Sequence, residues 1–329
     1  MAAYVNVPIS RHIFLWIIGM SMVVYLHSKN NEFLIKISKV LFIMAILFLL
    51  YTNLKGTMIK GSKRWISIGG MSIQPSELLK TSIVILSSHY LYRKRYLAFF
   101  FIYFISIILL LKQPDFGSSI LLLSIMSIQL FISELDGRYL FFLIITAATA
   151  IVLSYYFLPH VQNRIHNFVY GKNLALSGGY QGLLSVKAIS SGKLLGKGIG
   201  KGTIKNYLPD SFSDFIFAVI AEELGFIGCA YVICTFIFLA MISFNCNVKL
   251  AGTEDYYINT SCTSLILIQA WINIASSLWL IPTKGLTLPF ISHGGTSLLI
   301  SFITISALFI SDKKAKFKRN IRTYMHFPH

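Results

Sequence analysis

Charged side chains are scarce in this sequence, and acidic ones are the scarcest. Asp, Glu, Lys and Arg make up 12% of the 329 residues, about half of the ~25% that is usual in soluble domains. A soluble chain of this length would need more charge to cover its surface, whereas lipid covers a membrane protein. Together with a mean hydropathy of +0.69, this scarcity predicts an integral membrane protein.

Cysteine is also rare. The spacing of Cys229, Cys234, Cys246 and Cys262 fits neither a metal site nor a disulfide framework. We expect small core-like residues at these positions, and the residues themselves predict no metal site.

Long apolar runs dominate the chain and predict an all-α, polytopic membrane helical bundle of about nine transmembrane helices. No internal repeat, linker or second soluble domain interrupts them, so residues 1–329 are predicted to form a single membrane domain. The runs lie near residues 12–27, 39–54, 76–92, 97–111, 118–133, 139–157, 214–243, 257–281 and 294–311.

The net charge of +17 does not predict nucleic-acid binding, because the cations occur in short clusters between apolar runs. They serve topology, anionic lipid headgroups or an anionic substrate. One cluster is residues 93–95, and another is the basic tail at residues 312–329. Six predicted helices separate the two clusters, which places both on one face. Basic loops favour the cytoplasm, so the C-terminus is predicted to be cytoplasmic.

Residues 158–213 are predicted to form a long extracytoplasmic loop within the membrane domain. Its cations run against the positive-inside bias, although that bias weakens for long loops. The loop is either a solvated basic loop or an anion site, and we favour the anion site. Its cations are Arg164, Lys172, Lys187, Lys193, Lys197, Lys201 and Lys205.

Six carboxylates fall at the predicted outer face or within a helix. Asp115 precedes an apolar run, so we favour a helix N-cap over a chemical role. Asp210 and Asp214 are the only acids in or bordering the basic loop. For Asp214, a role in complementing the helix dipole and a role as an outward-facing base are equally supported. The other six carboxylates are interpreted as solvated cytoplasmic charges.

Ionisable residues inside membrane helices are costly and are usually paired or functional. Glu222 and Glu223 lie within an apolar run, and the i, i+3 spacing of Glu77 and Lys80 allows an ion pair. A structural polar network and a direct functional role are about equally plausible for these four residues.

Five segments of the chain resemble short known motifs. They resemble GxxRW…QPSExxK at residues 61–80, KQPDxG at 112–117, LPExxTDFIFA at 208–218, xEELG at 221–225 and PTKGLTLPxxSYGG at 282–295. In this order the motifs resemble those of the SEDS family (shape, elongation, division and sporulation), which includes FtsW and RodA. The last segment resembles the division branch, FtsW, through Lys284, Gly285 and Thr287.

The resemblance implies that Asp214 occupies the proposed catalytic position of the family. Together with the basic loop, it gives a set of candidate substrate-binding residues. These are Arg64, Glu77, Lys80, Asp115, Gln181, Lys187, Lys193, Lys197, Asp210, Glu223 and Lys284.

The chain departs from the family pattern at several positions. Phe212, Ser213, Leu184 and His293 stand where the family often has His, Thr, Gln and Tyr. Family members usually have ten spans, and Arg11 with His12 resembles the start of the second. We therefore expect the first span to be missing, through a late start codon or through true loss.

The family resemblance implies a peptidoglycan glycosyltransferase that polymerises lipid II during bacterial cell division, in the inner membrane. A lipid II flippase is the alternative, and a scaffold that only activates a penicillin-binding protein is a third reading. Lipid II, a class B penicillin-binding transpeptidase and other divisome proteins are the implied partners, and nucleic acid is not. No cofactor is certain, and a divalent cation such as Mg²⁺ is an open requirement.

A reporter fused after Asp312 tests the predicted orientation. A fluorescent protein that folds only in the cytoplasm should be bright there, and alkaline phosphatase at the same position should be inactive. A phosphatase that is active in the periplasm would contradict the positive-inside argument.

Overall fold

The computed structural model describes residues 9–55, 57–59, 62–68, 71–133, 135–157, 159–170, 177–283 and 285–325. It is mostly helical, and each of the nine predicted apolar segments contains a helix. These helices are α1 (Ile9–His27), α2 (Asn31–Lys55), α3 (Pro75–Tyr92), α4 (Tyr96–Lys112), α5 (Phe116–Ile132), α6 (Gly137–Phe157), α9 (Ile216–Leu250), α10 (Glu254–Ser277) and α11 (Gly295–Met325).

Four helices of the described residues, α2, α9, α10 and the first part of α11, are long and apolar enough to cross a membrane by length and composition. Many large apolar side chains on the helices are exposed, including Leu54, Leu97 and Phe131, as expected where lipid covers the surface. The membrane class is therefore supported, and the count of nine spans stays a prediction.

Some predicted boundaries were wrong. Helix α2 begins at Asn31 rather than near residue 39, so it includes Lys36, which precedes the apolar run. Helix α11 continues through most of the predicted basic tail, to Met325. Both differences arise because polar residues can extend a helix beyond its apolar run, where the apolar pattern gives no signal.

A small sheet between α2 and α3 corrects the all-α prediction. Strands β1 (Thr57–Ile59), β2 (Ser62–Ile68) and β3 (Met71–Ile73) pair antiparallel in the order β1-β2-β3. The β-branched and aromatic residues of β2 favour a strand. This sheet was missed because its strands are too short to stand out from a loop in an apolar scan.

The predicted outer loop at 158–213 also contains regular structure. Helices α7 (Pro159–Tyr170) and α8 (Ser177–Gly192) lie in it, followed by a short 3-10 helix at Ile204–Asn206. Lys172 lies outside the described residues. Neither helix has a long apolar run, so the apolar pattern of the sequence did not predict them.

The residues group into two compact units. Of the described residues, unit 1 comprises those within 136–237 and 268–294, and unit 2 comprises those within 9–135, 238–267 and 295–325. Within unit 1, buried Ala188 of α8 packs with Leu208, Phe215 and Ala218. The Ser185 hydroxyl also donates to the carbonyl of Ser277 at 2.6 Å. These contacts fix α8 to the start of α9 and the end of α10.

Unit 2 brings together chain segments that the topology assigns to one face. At the predicted cytoplasmic end, Asp255 accepts hydrogen bonds from Asn31 and from Lys314, the latter at 2.7 Å, and Glu254 pairs with His89. These residues come from four different helices. Their grouping agrees with an alternating path of the helices, which the predicted orientation requires.

Candidate active site

Asp214 lies in a tight turn that leads into α9. The Asp210 residue has φ +58°, and its carbonyl accepts from the N–H groups of Ser213, Asp214 and Phe215 at 3.0–3.3 Å. Helix α9 begins at Ile216, so Asp214 precedes the helix and the half-buried side chain projects from a closed turn.

Ser211 and Asp214 have the i, i+3 spacing of a capping box, but they do not cap α9. The first helical bonds of α9 go to the carbonyl of Phe215, from Ala218 and Val219. Phe215 is therefore the N-cap, and Ser211 lies too far upstream to cap α9.

The carbonyl oxygens of residues 212–214 each accept a hydrogen bond from a distant part of unit 1. We call these three bonds the carbonyl clamp. They run from His293 N to Phe212 O (2.8 Å), from the Ser292 hydroxyl to Ser213 O, and from Asn273 Nδ2 to Asp214 O (2.9 Å). The clamp fixes the backbone that carries the Asp214 carboxylate.

Two amide side chains of α10 supply the other half of this arrangement. Asn273 Nδ2 also donates to Leu286 O at 2.7 Å, and Gln269 Nε2 donates to Thr287 O at 3.0 Å. Sequence reasoning missed both residues. The available signal was their i, i+4 spacing on one face of an apolar helix, where polar side chains are costly unless they are used.

The segment after α10 approaches the carboxylate closely. Gly285 has φ +67°, and a Cβ built on it would lie 3.5 Å from Asp214 Oδ2. A side chain at this position would be strained and would lie against the carboxylate. The candidate residue Lys284 lies outside the described residues.

Glu222 is fully buried, and its carboxylate accepts from a nest of backbone N–H groups. Lys197 Nζ donates to it at 2.7 Å, and the three N–H groups of residues 203–205 donate at 2.8–3.1 Å. These bonds satisfy the free N–H groups at the start of the 3-10 helix, as a capping carboxylate does. Glu222 is therefore an internal anion that holds in place the lysine-containing stretch after α8, residues 193–205. We call this stretch the basic segment.

Glu223 holds the same segment from the next position. Its carboxylate accepts from Lys205 Nζ and, at 3.0 Å, from Gly200 N. Helix α9 is interrupted at Gly225, with φ 66° and ψ −160°. Because of this interruption, the N–H groups of Phe226 and Ile227 donate to the carbonyls of Lys193 and Leu194 instead of to α9.

The candidate lysines therefore divide into two groups. Lys197 and Lys205 are paired with Glu222 and Glu223, whereas the side chains of Lys187, Lys193 and Lys201 are exposed. Gln181 is half-buried on α8. Substrate contact by any of these residues stays a prediction.

Four candidates lie in unit 2, where they stabilise local structure. Arg64 donates from Nε to Gln113 O at 2.9 Å and from Nη2 to Pro114 O at 2.7 Å. Asp115 caps α5, accepting from Ser118 N at 3.2 Å, as the favoured reading predicted. Glu77 and Lys80 form the buried pair that their spacing allowed, at 2.8 Å.

Within the part of the chain that the structure describes, no three His, Cys, Asp or Glu side chains gather as a metal site would require. Mg²⁺ held partly by substrate phosphates needs fewer protein ligands, so the divalent cation stays an untested prediction and no chemical step is assigned to it.

The sequence matches a family model described as "Cell cycle protein", FtsW/RodA/SpoVE, over residues 1–316. The chain therefore belongs to this family. It is 37% identical over 308 residues to a probable peptidoglycan glycosyltransferase FtsW of Riesia pediculicola, covering 90% of this chain and 80% of that protein. A protein of the same description from Nitrosomonas europaea is 35% identical over 291 residues, covering 84% and 75%.

Solved structures show the same fold. One, described as "Structural coordination of polymerization and crosslinking by a peptidoglycan synthase complex", matches with a TM-score of 0.78 at 22% identity, covering 94% of this chain and 91% of that chain. The rod shape determining protein RodA of Thermus thermophilus matches with a TM-score of 0.66 at 21% identity, covering 94% and 88%. These likenesses support the helical membrane fold.

Replacing Glu222 by Ala should loosen the basic segment, because three N–H groups and Lys197 lose their acceptor. Amide hydrogen exchange over residues 197–205 should become faster while exchange in α3 is unchanged. The matched variant Glu223→Ala removes fewer bonds and should have a smaller effect. Equal exchange in wild type and Glu222→Ala would contradict the assigned role.

Proposed function

We propose that this chain is a peptidoglycan glycosyltransferase that polymerises lipid II during bacterial cell division. Family membership and the description of similar proteins as probable peptidoglycan glycosyltransferases support this activity. The observation that carries the proposal is the carbonyl clamp. It holds one carboxylate, that of Asp214, at the start of a long apolar helix and close to Gly285.

Asp214 is the proposed general base. The 4-hydroxyl oxygen of the acceptor glycan attacks C1 of the donor and forms the new C1–O bond. The bond from C1 to the pyrophosphate oxygen breaks, its electron pair leaves with undecaprenyl pyrophosphate, and C1 is inverted. The acceptor proton passes to an Asp214 carboxylate oxygen, which is the step that a base accelerates.

The pyrophosphate is a good leaving group, so its developing charge needs cations more than it needs a general acid. The exposed side chains of Lys187, Lys193 and Lys201 are the proposed source of this stabilisation. Lys197 and Lys205 are already neutralised by internal carboxylates. Their proposed contribution is to hold the segment in place.

The proposed partner is a class B penicillin-binding transpeptidase, which crosslinks the strands that this chain makes. The description of a similar solved structure, a peptidoglycan synthase complex that coordinates polymerization and crosslinking, supports such a pairing. Other divisome proteins and a location in the bacterial inner membrane with a cytoplasmic C-terminus belong to the same proposal.

Asp214→Asn keeps the shape of the side chain but cannot take up the proton. With purified chain, lipid II and the transpeptidase partner, polymerisation should fall by ~10²–10⁴-fold, the usual contribution of a general base. Thermal stability and partner binding should match wild type. Asp210→Asn is the comparison, because Asn tolerates its positive φ, and it should lose much less.

Near-normal polymerisation by Asp214→Asn would remove Asp214 from the mechanism and direct attention to Asp210 and Asp115. The same assay separates the alternatives. Translocation of lipid II without new glycosidic bonds would indicate a flippase.

The triple variant Lys187→Gln, Lys193→Gln, Lys201→Gln tests the pyrophosphate site. It should raise the KM for lipid II and reduce the dependence of the rate on salt, because exposed charges are screened. The paired variant Lys197→Gln, Lys205→Gln should instead lower thermal stability. Unchanged kinetics with all five lysines replaced would reject the anion site.

A further inference from the structure

Three apolar side chains stand out from the basic segment between α8 and the 3-10 helix. The exposed fractions are 61% for Leu194, 74% for Leu195 and 81% for Ile199. Large apolar side chains grouped in this way on a loop mark a surface that something other than water covers. We call residues 193–200 the apolar segment.

Backbone hydrogen bonds fix the apolar segment alongside α9. It follows that the apolar segment lies at the level of residues 222–227 along this helix. The bonds run from Phe226 N to Lys193 O (2.9 Å), Ile227 N to Leu194 O (3.3 Å), Lys197 N to Glu222 O (2.9 Å) and Gly198 N to Glu223 O (2.9 Å).

This level corresponds to one edge of the hydrocarbon core. Residues 226–244 contain no charged side chain, and the run is close to the ~20 residues that span a bilayer. The two carboxylates of Glu222 and Glu223 come just before it. Leu224, Phe226 and Ile227 on this part of α9 are also largely exposed, so the apolar segment continues a lipid-facing surface.

Much of the segment's backbone is hydrogen-bonded within the protein. Non-helical backbone is tolerated near hydrocarbon only where its polar groups are satisfied within the protein. Gly196 N donates to Gly192 O at 2.8 Å and Gly200 N to the Glu223 carboxylate at 3.0 Å. With the four bonds to α9, four N–H groups and two carbonyls of the segment have protein partners, which lowers the cost of placing it at the edge of the hydrocarbon.

Close packing explains the glycines here. Gly196 has φ +77°, and a Cβ on it would lie 2.2 Å from Glu223 O. Only glycine allows the segment to approach α9 closely enough for these bonds. The glycine-rich sequence therefore serves attachment to α9 rather than a mobile loop.

We propose that the apolar segment inserts into the lipid bilayer and places Leu194, Leu195 and Ile199 among acyl chains. Under the predicted orientation this is the outer leaflet. The exposed side chains of Lys193 and Lys201 flank the apolar residues and lie at headgroup level, as long basic side chains do at an interface. This is also the level of the pyrophosphate of a lipid-linked substrate, so the placement is compatible with their proposed role there. Lipid is the occupant because the patch is continuous with the exposed apolar face of α9.

Spin-label accessibility in vesicles tests this placement. Cys229, Cys246 and Cys262 are buried, so Cys234→Ala removes the exposed thiol. Nitroxides are then attached at Leu195→Cys, Ile199→Cys and, as the matched control, Ser190→Cys, an exposed polar position on α8. The full chain is reconstituted in phosphatidylethanolamine and phosphatidylglycerol.

The labels at 195 and 199 should collide severalfold more often with oxygen, which concentrates in lipid, than with a water-soluble nickel chelate. The label at 190 should show the reverse. Nickel accessibility at 195 and 199 equal to that at 190 would overturn the proposal. Nickel access that disappears only when the transpeptidase partner is added would also overturn it, since the surface would then bind protein.

Discussion

The hydrogen bonds to three consecutive carbonyls, those of residues 212–214, are the constraint on which the site depends. A turn before a membrane helix has carbonyl oxygens that the helix cannot satisfy, and an unsatisfied buried group costs ~1–3 kcal/mol. Here the acceptors are met by Asn273, Ser292 and His293. The same three hydrogen bonds therefore satisfy the carbonyls of the turn and fix the backbone that orients the Asp214 side chain. Orientation of this kind can supply several kcal/mol of a reaction barrier.

The need to satisfy buried polar groups also explains the conformation of the basic segment. A glycine- and lysine-rich stretch is a familiar form for an external anion site. In this chain, however, the backbone N–H groups of residues 203–205 already bind the Glu222 carboxylate. The internal carboxylates fix the segment against α9 and neutralise Lys197 and Lys205. The exposed cations Lys193 and Lys201 therefore lie on a segment whose backbone is hydrogen-bonded to α9 and to its carboxylates.

Local features were predictable from the sequence because they depend on nearby residues. Each of the nine apolar runs predicted a helix that the described residues contain. The spacing of Glu77 and Lys80 predicted their ion pair, and the position of Asp115 predicted its N-cap. The β1-β2-β3 sheet and helices α7 and α8 were missed because they are short or not apolar.

The clamp and the Glu222 nest could not be predicted because their partners are distant in sequence. Asn273 donates to the carbonyl of Asp214, which lies 59 positions away in the sequence. No local pattern of residues predicts a contact over that distance. The amide pair of Gln269 and Asn273 could have been noticed as polar groups in an apolar helix. Their targets could not have been inferred.

A double-mutant cycle in the lipid II polymerisation assay tests the central claim that the clamp acts through Asp214. Asn273→Leu removes the donor to the carbonyls of Asp214 and Leu286. It should lower thermal stability, because two acceptors lose their partner, and in the folded chain it should lower kcat with little change in KM. In the Asp214→Asn background the same substitution should cost little more, because both changes remove one function. Losses that multiply independently would contradict the account.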